Sequence, residues 1–353
     1  MPAPLDPNSA ARPGSGIFGL DFEPEDAGVV LLPVPFDATA SYRRGAAEAP
    51  AAVLEASHQI DLFDPRIGRP YAAGICLLEE PEDVIAWNAL ASAAADPVLE
   101  AGGLLFTDEE GEALRAKAER VDALCGQMVA LVEREALKWL GRGKIFGVLG
   151  GDHSVALGAL RAAAAREPGL GVLQVDAHAD LRQAFGGLRY SHASVMFNAL
   201  QECPGISRLV QVGVRDLCDA EYALIQAGAP RVVTHLDASL QSRRLAGTPW
   251  QELVEGVLHD LPERVWISVD IDGLDPSLCP NTGTPVPGGL SFAELDVLLA
   301  ALATSSRRVV GFDLCEVSPG PDDRDDWDAN VGMRVLYKLC GWALRSQGRI
   351  ASI

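Results

Sequence analysis

The chain has 353 residues, 48% of them hydrophobic, and a formal net charge of −20 from 29 Lys and Arg against 49 Asp and Glu. That apolar share excludes a disordered chain, and so acidic a surface repels phosphate backbones, which argues against nucleic-acid binding. Seven scattered cysteines without a Cys-x-x-Cys pair, no basic-then-apolar leader and no apolar run long enough to span a bilayer point to a reduced cytoplasmic protein that stays off membranes.

In chain order, residues 1–28 are rich in Pro, Gly, Ala and acid and read as an irregular N-terminal arm. Residues 29–353 read as one domain. Short apolar or β-branched runs at 29–32, 145–149, 170–175, 209–214, 231–234, 265–269 and 309–312 predict strands. Between them, segments with helical period predict helices at 110–140, 155–166, 250–259, 292–304 and 330–344. Strands alternating with helices predict an α/β fold, a three-layer α/β/α arrangement around a mostly parallel sheet. The segment at about 65–111 breaks this rhythm and is too apolar for a linker, so it reads as an insertion packed on the main domain.

Five polar clusters follow directly on predicted strands: GGDHS (150–154), DAHAD (176–180), VRD (214–216), DIDGLDP (270–276) and DLCEVSPGPD (313–322). A parallel sheet brings all five to one edge, where open α/β folds place their ligands. In DAHAD the strand period of two puts Asp176, His178 and Asp180 on one side, and Asp270 and Asp272 repeat the device. Four aspartates at one edge repel one another unless a cation binds. With His153 and His178 the set suits Mn²⁺ or another octahedral divalent ion, and six side chains suffice for two ions that share carboxylates. Asp152 and Ser154 also fit a plain helix cap, and Asp275 fits a turn. His58, His235 and His259 lack motif context and read as structural or surface residues.

From SYRRGAAEAP (41–50) to the C-terminal helix, GGDHS, DAHAD, SVDIDGLDP, TGTPVPGGL and the Glu of DLCEVSPG stand in the order of the ureohydrolase family of arginase, agmatinase and formiminoglutamase, which the chain resembles on its agmatinase-like branch. The resemblance implies the arginase/deacetylase-like fold and one Mn²⁺ held by His153, Asp176, Asp180 and Asp270. It implies a second held by Asp176, His178, Asp270 and Asp272, with Ni²⁺ or Co²⁺ as substitutes. Glu316 matches the guanidinium-binding carboxylate and His192 the histidine that assists proton transfer. Homotrimers or homohexamers are the family's usual assemblies.

At two places the chain departs from the arginases: Arg182 replaces an Asn that helps bind the amino-acid carboxylate, and Cys218 replaces an Asp that contacts the α-amino group. Val286 stands where many agmatinases carry Glu. Arg182 and Arg189 are candidates for an acidic substrate tail, Phe185 and Tyr190 for closing over a small substrate, and Asp216 of the VRD cluster for a further contact. The expected reaction is hydrolysis of a guanidino C–N bond with release of urea, on agmatine, guanidinobutyrate or guanidine. Arginase or formiminoglutamase activity is the alternative. A non-catalytic metal-stabilised assembly or sensing protein would be marked by a missing ligand or a missing Glu316, and none is missing.

Overall fold

Residues 6–104, 109–227, 231–321 and 325–351 are described by the computed structural model; positions 1–5 of the arm, 105–108 of the insertion and Asp322 of the last cluster lie outside them. Among the described residues eight strands form one sheet: β1 (Val29–Val34), β2 (Ile75–Leu77), β3 (Ile145–Gly150), β4 (Leu170–Val175), β5 (Ile206–Val212), β6 (Val232–His235), β7 (Arg264–Asp270) and β8 (Arg308–Cys315). Their order is β2-β1-β3-β8-β7-β4-β5-β6, and neighbours pair in parallel throughout. The sheet expected to be mostly parallel is therefore wholly so.

Alternation sorts each strand's side chains between two cores. Val29 and Leu31 of β1, Leu173 and Val175 of β4 and Ile267 and Val269 of β7 face one. The intervening Val30, Leu32, Val172 and Trp266 face the other. Helices α1 (Ala49–Ser57), α8 (Trp250–His259), α9 (Phe292–Thr304) and α10 (Trp327–Ser346) close the first layer. Helices α2 (Glu82–Glu100), α3 (Glu109–Gly141), α4 (Ala156–Arg166) and α5 (Val195–Glu202) close the second. Around β6, α6 (Asp219–Gln226) precedes it and α7 (Asp237–Leu245) follows. Burial on both sides is what makes the central strands continuous apolar runs.

Two segments take on structure that composition does not disclose. Ile17, Phe18 and Leu20, inside the stretch read as an arm, are buried in the α1 and α10 core, with the Phe18 N–H donating to Ser57 Oγ at 2.8 Å. From 65–111 come β2, which extends the sheet beside β1, and α2, which packs on α3. A three-residue strand is too short to display a period, and α2 buries mainly Val84, Ala91, Ala95 and Val98 within an alanine-rich run.

The turn after β3 is tied to β1: the Gly151 N–H donates to the Val34 carbonyl and the Asp152 N–H to the Phe36 carbonyl. A Cβ on Gly151 would stand 1.9 Å from the Phe36 carbonyl oxygen, a backbone atom that cannot swing aside. Gly151→Ala is therefore expected to lower stability by at least about 1–3 kcal/mol and to displace His153; the denaturant midpoint, read with bound Mn²⁺, checks both. An unchanged midpoint would show that the turn yields.

Candidate active site

Four adjacent strands, β3, β8, β7 and β4, bring their carboxyl ends to one rim. After β3, Asp152 caps a short 3-10 turn by accepting the Ser154 N–H at 3.1 Å, and Thr39 donates to its other oxygen through both N–H and hydroxyl. Both oxygens of Asp152 are thereby engaged by the loop. His153, next in the chain, is fully buried. Its Nδ1 lies 3.1 Å from Asp176 Oδ2, 3.0 Å from Asp180 Oδ2 and 3.6 Å from Asp270 Oδ2, yet makes no hydrogen bond.

On the other side of Asp176, His178 Nδ1 lies 3.6 Å from Asp176 Oδ1 and 3.1 Å from Asp272 Oδ2. Asp176 thus presents one oxygen to each histidine, the disposition of a bridging carboxylate. Asp270 accepts the Asp272 N–H, and Asp272 accepts the Ala177 N–H, so the β4 and β7 loops lock together.

The alternation expected across DAHAD carries only to His178. β4 ends at Val175, and Asp180 reaches the cluster because its backbone turns into the left-handed region, φ 53°. Asp272 sits in a 3-10 turn over Ile271–Gly273 rather than on a strand. Glu316 is also left-handed, φ 62°, with its N–H donating to the Gly151 carbonyl and its own carbonyl accepting from Thr282. Such conformations cost energy in non-glycine residues and mark sites that the surrounding structure over-determines.

The electrostatics call for a cation. Burial, then the charges of Asp272 and Asp176, push Asp270 well above the usual carboxylate range. Burial and Asp176 push Asp180 up to about 7. Burial would lower both histidines, but Asp176 and Asp272 hold His178 up to about 12, and Asp176 and Asp180 hold His153 well above its ordinary value. Without metal, protons on these groups serve as the counter-charge. Divalent ions fit better: His153 Nδ1 already faces three carboxylates without a hydrogen bond, and His153, Asp176 and Asp270, like Asp176, His178 and Asp272, form groups whose ligand atoms lie within 4.8 Å of one another.

A cavity of about 170 Å³ adjoins the cluster, with His178, Asp180 and Asp270 in its wall. Its other walls include Ser41, Arg182, Phe185, His192, Asp216 and Glu221. His192 donates its backbone N–H to Thr39 Oγ1, its Nε2 lies 3.1 Å from Ser41 Oγ, and the Phe185 ring meets it edge-on at 6.3 Å. Burial, then the charges of His178 and His153, push its pKa down to about 3, so the ring is neutral. Glu316 lies behind His192, with Oε1 3.7 Å from His192 Nδ1 and accepting the His153 N–H at 3.0 Å. Arg182 Nε is 3.6 Å from buried Glu221, and its guanidinium rests 5.0 Å from the Phe185 ring centroid.

Arg189 and Tyr190, the other candidate substrate residues, are placed elsewhere. Both backbone N–H groups donate to Asp122 of α3, and the Arg189 guanidinium is exposed, paired with Glu202 at 2.8 Å. Neither lines the cavity, because α3 draws this end of the loop away from it. Cys218 opens α6 as its cap, Asp275 holds a turn through Ser277, and His58 and His235 bond the Ser15 carbonyl and Asp260. Three residues around the site were not singled out in the sequence: Thr39 and Ser41, which hold His192, and Ser268, which lies behind His153. Asp313, read there as the head of a rim cluster, lies inside β8 and bonds Ser268 instead.

The Arginase family model matches residues 27–341. The N(1)-aminopropylagmatine ureohydrolase of Thermus thermophilus is 36% identical over 95% of this chain and 99% of its own length. The agmatinase of Bacillus anthracis is 29% identical, covering 90% of this chain and 93% of its own. In fold the chain is similar to the crystal structure of the agmatine ureohydrolase of Thermoplasma volcanium, with a TM-score of 0.68 at 24% identity over 94% of each chain. Among the described residues no helix is long and apolar enough to cross a membrane. With the family model spanning the whole sheet and its rim of candidate metal ligands, the chain belongs to the arginase family.

Proposed function

We propose that this protein is a binuclear-metal ureohydrolase that cleaves the guanidino C–N bond of an amine-tailed guanidine, N(1)-aminopropylagmatine or agmatine, to urea and the free amine. The observation that carries the substrate class is the engagement of Arg182. Glu221 stands 3.6 Å from Arg182 Nε and Phe185 lies under its guanidinium, which offsets part of that cation, while exposed Asp216 adds a carboxylate to the same cavity wall. A carboxylate there complements an ammonium and repels the acid of arginine, guanidinobutyrate or formiminoglutamate. Relatives that match 95% and 90% of this chain carry the corresponding names.

His153, Asp176, Asp180 and Asp270 would hold one metal ion, and Asp176, His178, Asp270 and Asp272 the other, with Mn²⁺ as the first candidate. Bound, the pair supplies Lewis acidity and makes water acidic enough to serve as a nucleophile near neutral pH. The remaining work falls to the chain. Glu316 pairs with the planar guanidinium and fixes its orientation. His192, in the cavity wall beside the cluster, is the group placed to pass a proton to the departing amine, which cannot leave readily as an anion. Ser41 and Phe185 hold the ring in place for that transfer.

Urea release by the Mn²⁺-loaded and the EDTA-treated protein, compared across N(1)-aminopropylagmatine, agmatine, guanidinobutyrate, arginine and guanidine, tests the reading, with formiminoglutamate followed by formamide release. The two amine-tailed substrates are expected to lead, and only with metal; a lead for guanidinobutyrate or arginine refutes the tail assignment. In Asp216→Asn the KM for those two substrates should rise about two- to fivefold, the worth of a solvent-exposed ion pair, with kcat little changed.

A further inference from the structure

We propose that a buried chain of three side chains, His153–Ser268–Asp313, acts as a positioning device for one of the two metal ions; the inference rests on the metal assignment above. Asp313 lies inside β8, below the rim where its motif was expected to stand. It is fully buried, as are Ser268 and His153. Three donors converge on its carboxylate: Trp266 Nε1 on Oδ2 at 2.5 Å, Ser268 Oγ on Oδ1 at 2.7 Å and the Cys315 thiol on Oδ1 at 3.8 Å. Gly311 makes room for this, since a Cβ there would stand 2.3 Å from the Trp266 ring.

The proton count then decides the state of His153. A serine hydroxyl has one proton, and the Ser268 hydroxyl donates it to Asp313 Oδ1. Ser268 Oγ must therefore accept from its other neighbour, His153 Nε2, 2.9 Å away. Nε2 carries the proton, and once the ring is neutral its lone pair stands on Nδ1, the atom that faces Asp176, Asp180 and Asp270 without a hydrogen bond. The chain selects the tautomer a metal needs and fixes the plane of the ring. His178 differs: among the described residues its Nε2 has no hydrogen-bond partner, and a quarter of its side chain is exposed. Only the ion bound through His153 should depend on this device.

The test is equilibrium dialysis of metal-stripped parent, Ser268→Ala and Asp313→Asn proteins against Mn²⁺, with metal counted by mass spectrometry and the bound ions read by electron paramagnetic resonance. One of two equivalents should bind about 10- to 100-fold more weakly in each variant while the other stays close to the parent. The signal of a coupled manganese pair should give way to that of a single ion, and Trp266→Phe, at the far end of the chain, should show a smaller effect in the same direction. Parent-like binding of both equivalents would overturn the proposal. So would joint loss of both together with a lower melting temperature of the metal-free protein, which would assign the chain to folding. A third equivalent in the parent, lost in Asp313→Asn, would overturn it in favour of a buried site on His153, Asp313 and Cys315. A parent that binds no Mn²⁺ would instead refute the metal assignment itself.

Discussion

Asp270→Ala protein is expected to release no measurable urea and to hold fewer than two equivalents of Mn²⁺. Asp270 stands at the junction of the cluster: its Oδ2 lies 3.6 Å from His153 Nδ1, and its Oδ1 accepts the Asp272 N–H that keeps Asp272 turned toward His178. Its loss removes one shared ligand and loosens another. The stabilisation that bound metal gives a transition state amounts to several kcal/mol, and each 1.36 kcal/mol is tenfold, so kcat/KM falls on the order of 10³-fold or more. Stability should move the other way in Asp270→Asn, which keeps the shape and removes a buried carboxylate that Asp272, Asp176 and Glu316 all repel. The metal-free Asn variant should melt no lower than the metal-free parent, while the parent alone gains strongly from added Mn²⁺. Full turnover with two bound equivalents in Asp270→Ala would remove Asp270 from the metal centre.

Glu316→Gln should separate substrate binding from metal binding. Glu316 accepts the His153 N–H at 3.0 Å and lies 3.7 Å from His192, but it is not among the proposed metal ligands, so both Mn²⁺ equivalents should remain. What the substitution removes is the carboxylate proposed to face the guanidinium. Breaking one partner of a buried, hydrogen-bonded charge pair costs about 2–5 kcal/mol, so kcat/KM for the amine-tailed substrates should fall between about 30- and 5,000-fold. Steady-state urea release together with metal counting checks both halves. Parent-like kcat/KM would mean that Glu316 serves the backbone turn after β8 and the His153 N–H alone.

The candidate site was legible because clustered acids are costly without a counter-charge. His153, Asp176, Asp270 and Glu316 all follow apolar runs that read as buried strands, and the parallel sheet delivers strand ends to a common rim whatever the loops do. The same logic made β3, β4, β7 and β8 readable, since strands buried on both faces need no alternation. Asp180 lies with this set in space, 3.0 Å from His153 Nδ1, but a left-handed turn and not the strand period brings it there.

Where the reading depended on distant partners, residue type was a poor guide. Arg182, Arg189 and Tyr190 share one loop and looked equally fit for substrate, yet Glu221 from α6 engages the first and Asp122 from α3 turns the other two away. Ser268 was an unremarkable letter in a strand and Asp313 the first letter of a rim cluster until β7 and β8 paired and set the one opposite the other. The amino-acid order alone was enough for the α/β class, the rim and the candidate metal donors, because hydrophobic period and the cost of clustered acids are local properties. How Arg182 is already engaged, and which polar atoms stand behind the donors, depended on contacts between segments distant in the chain, and no local pattern encodes those.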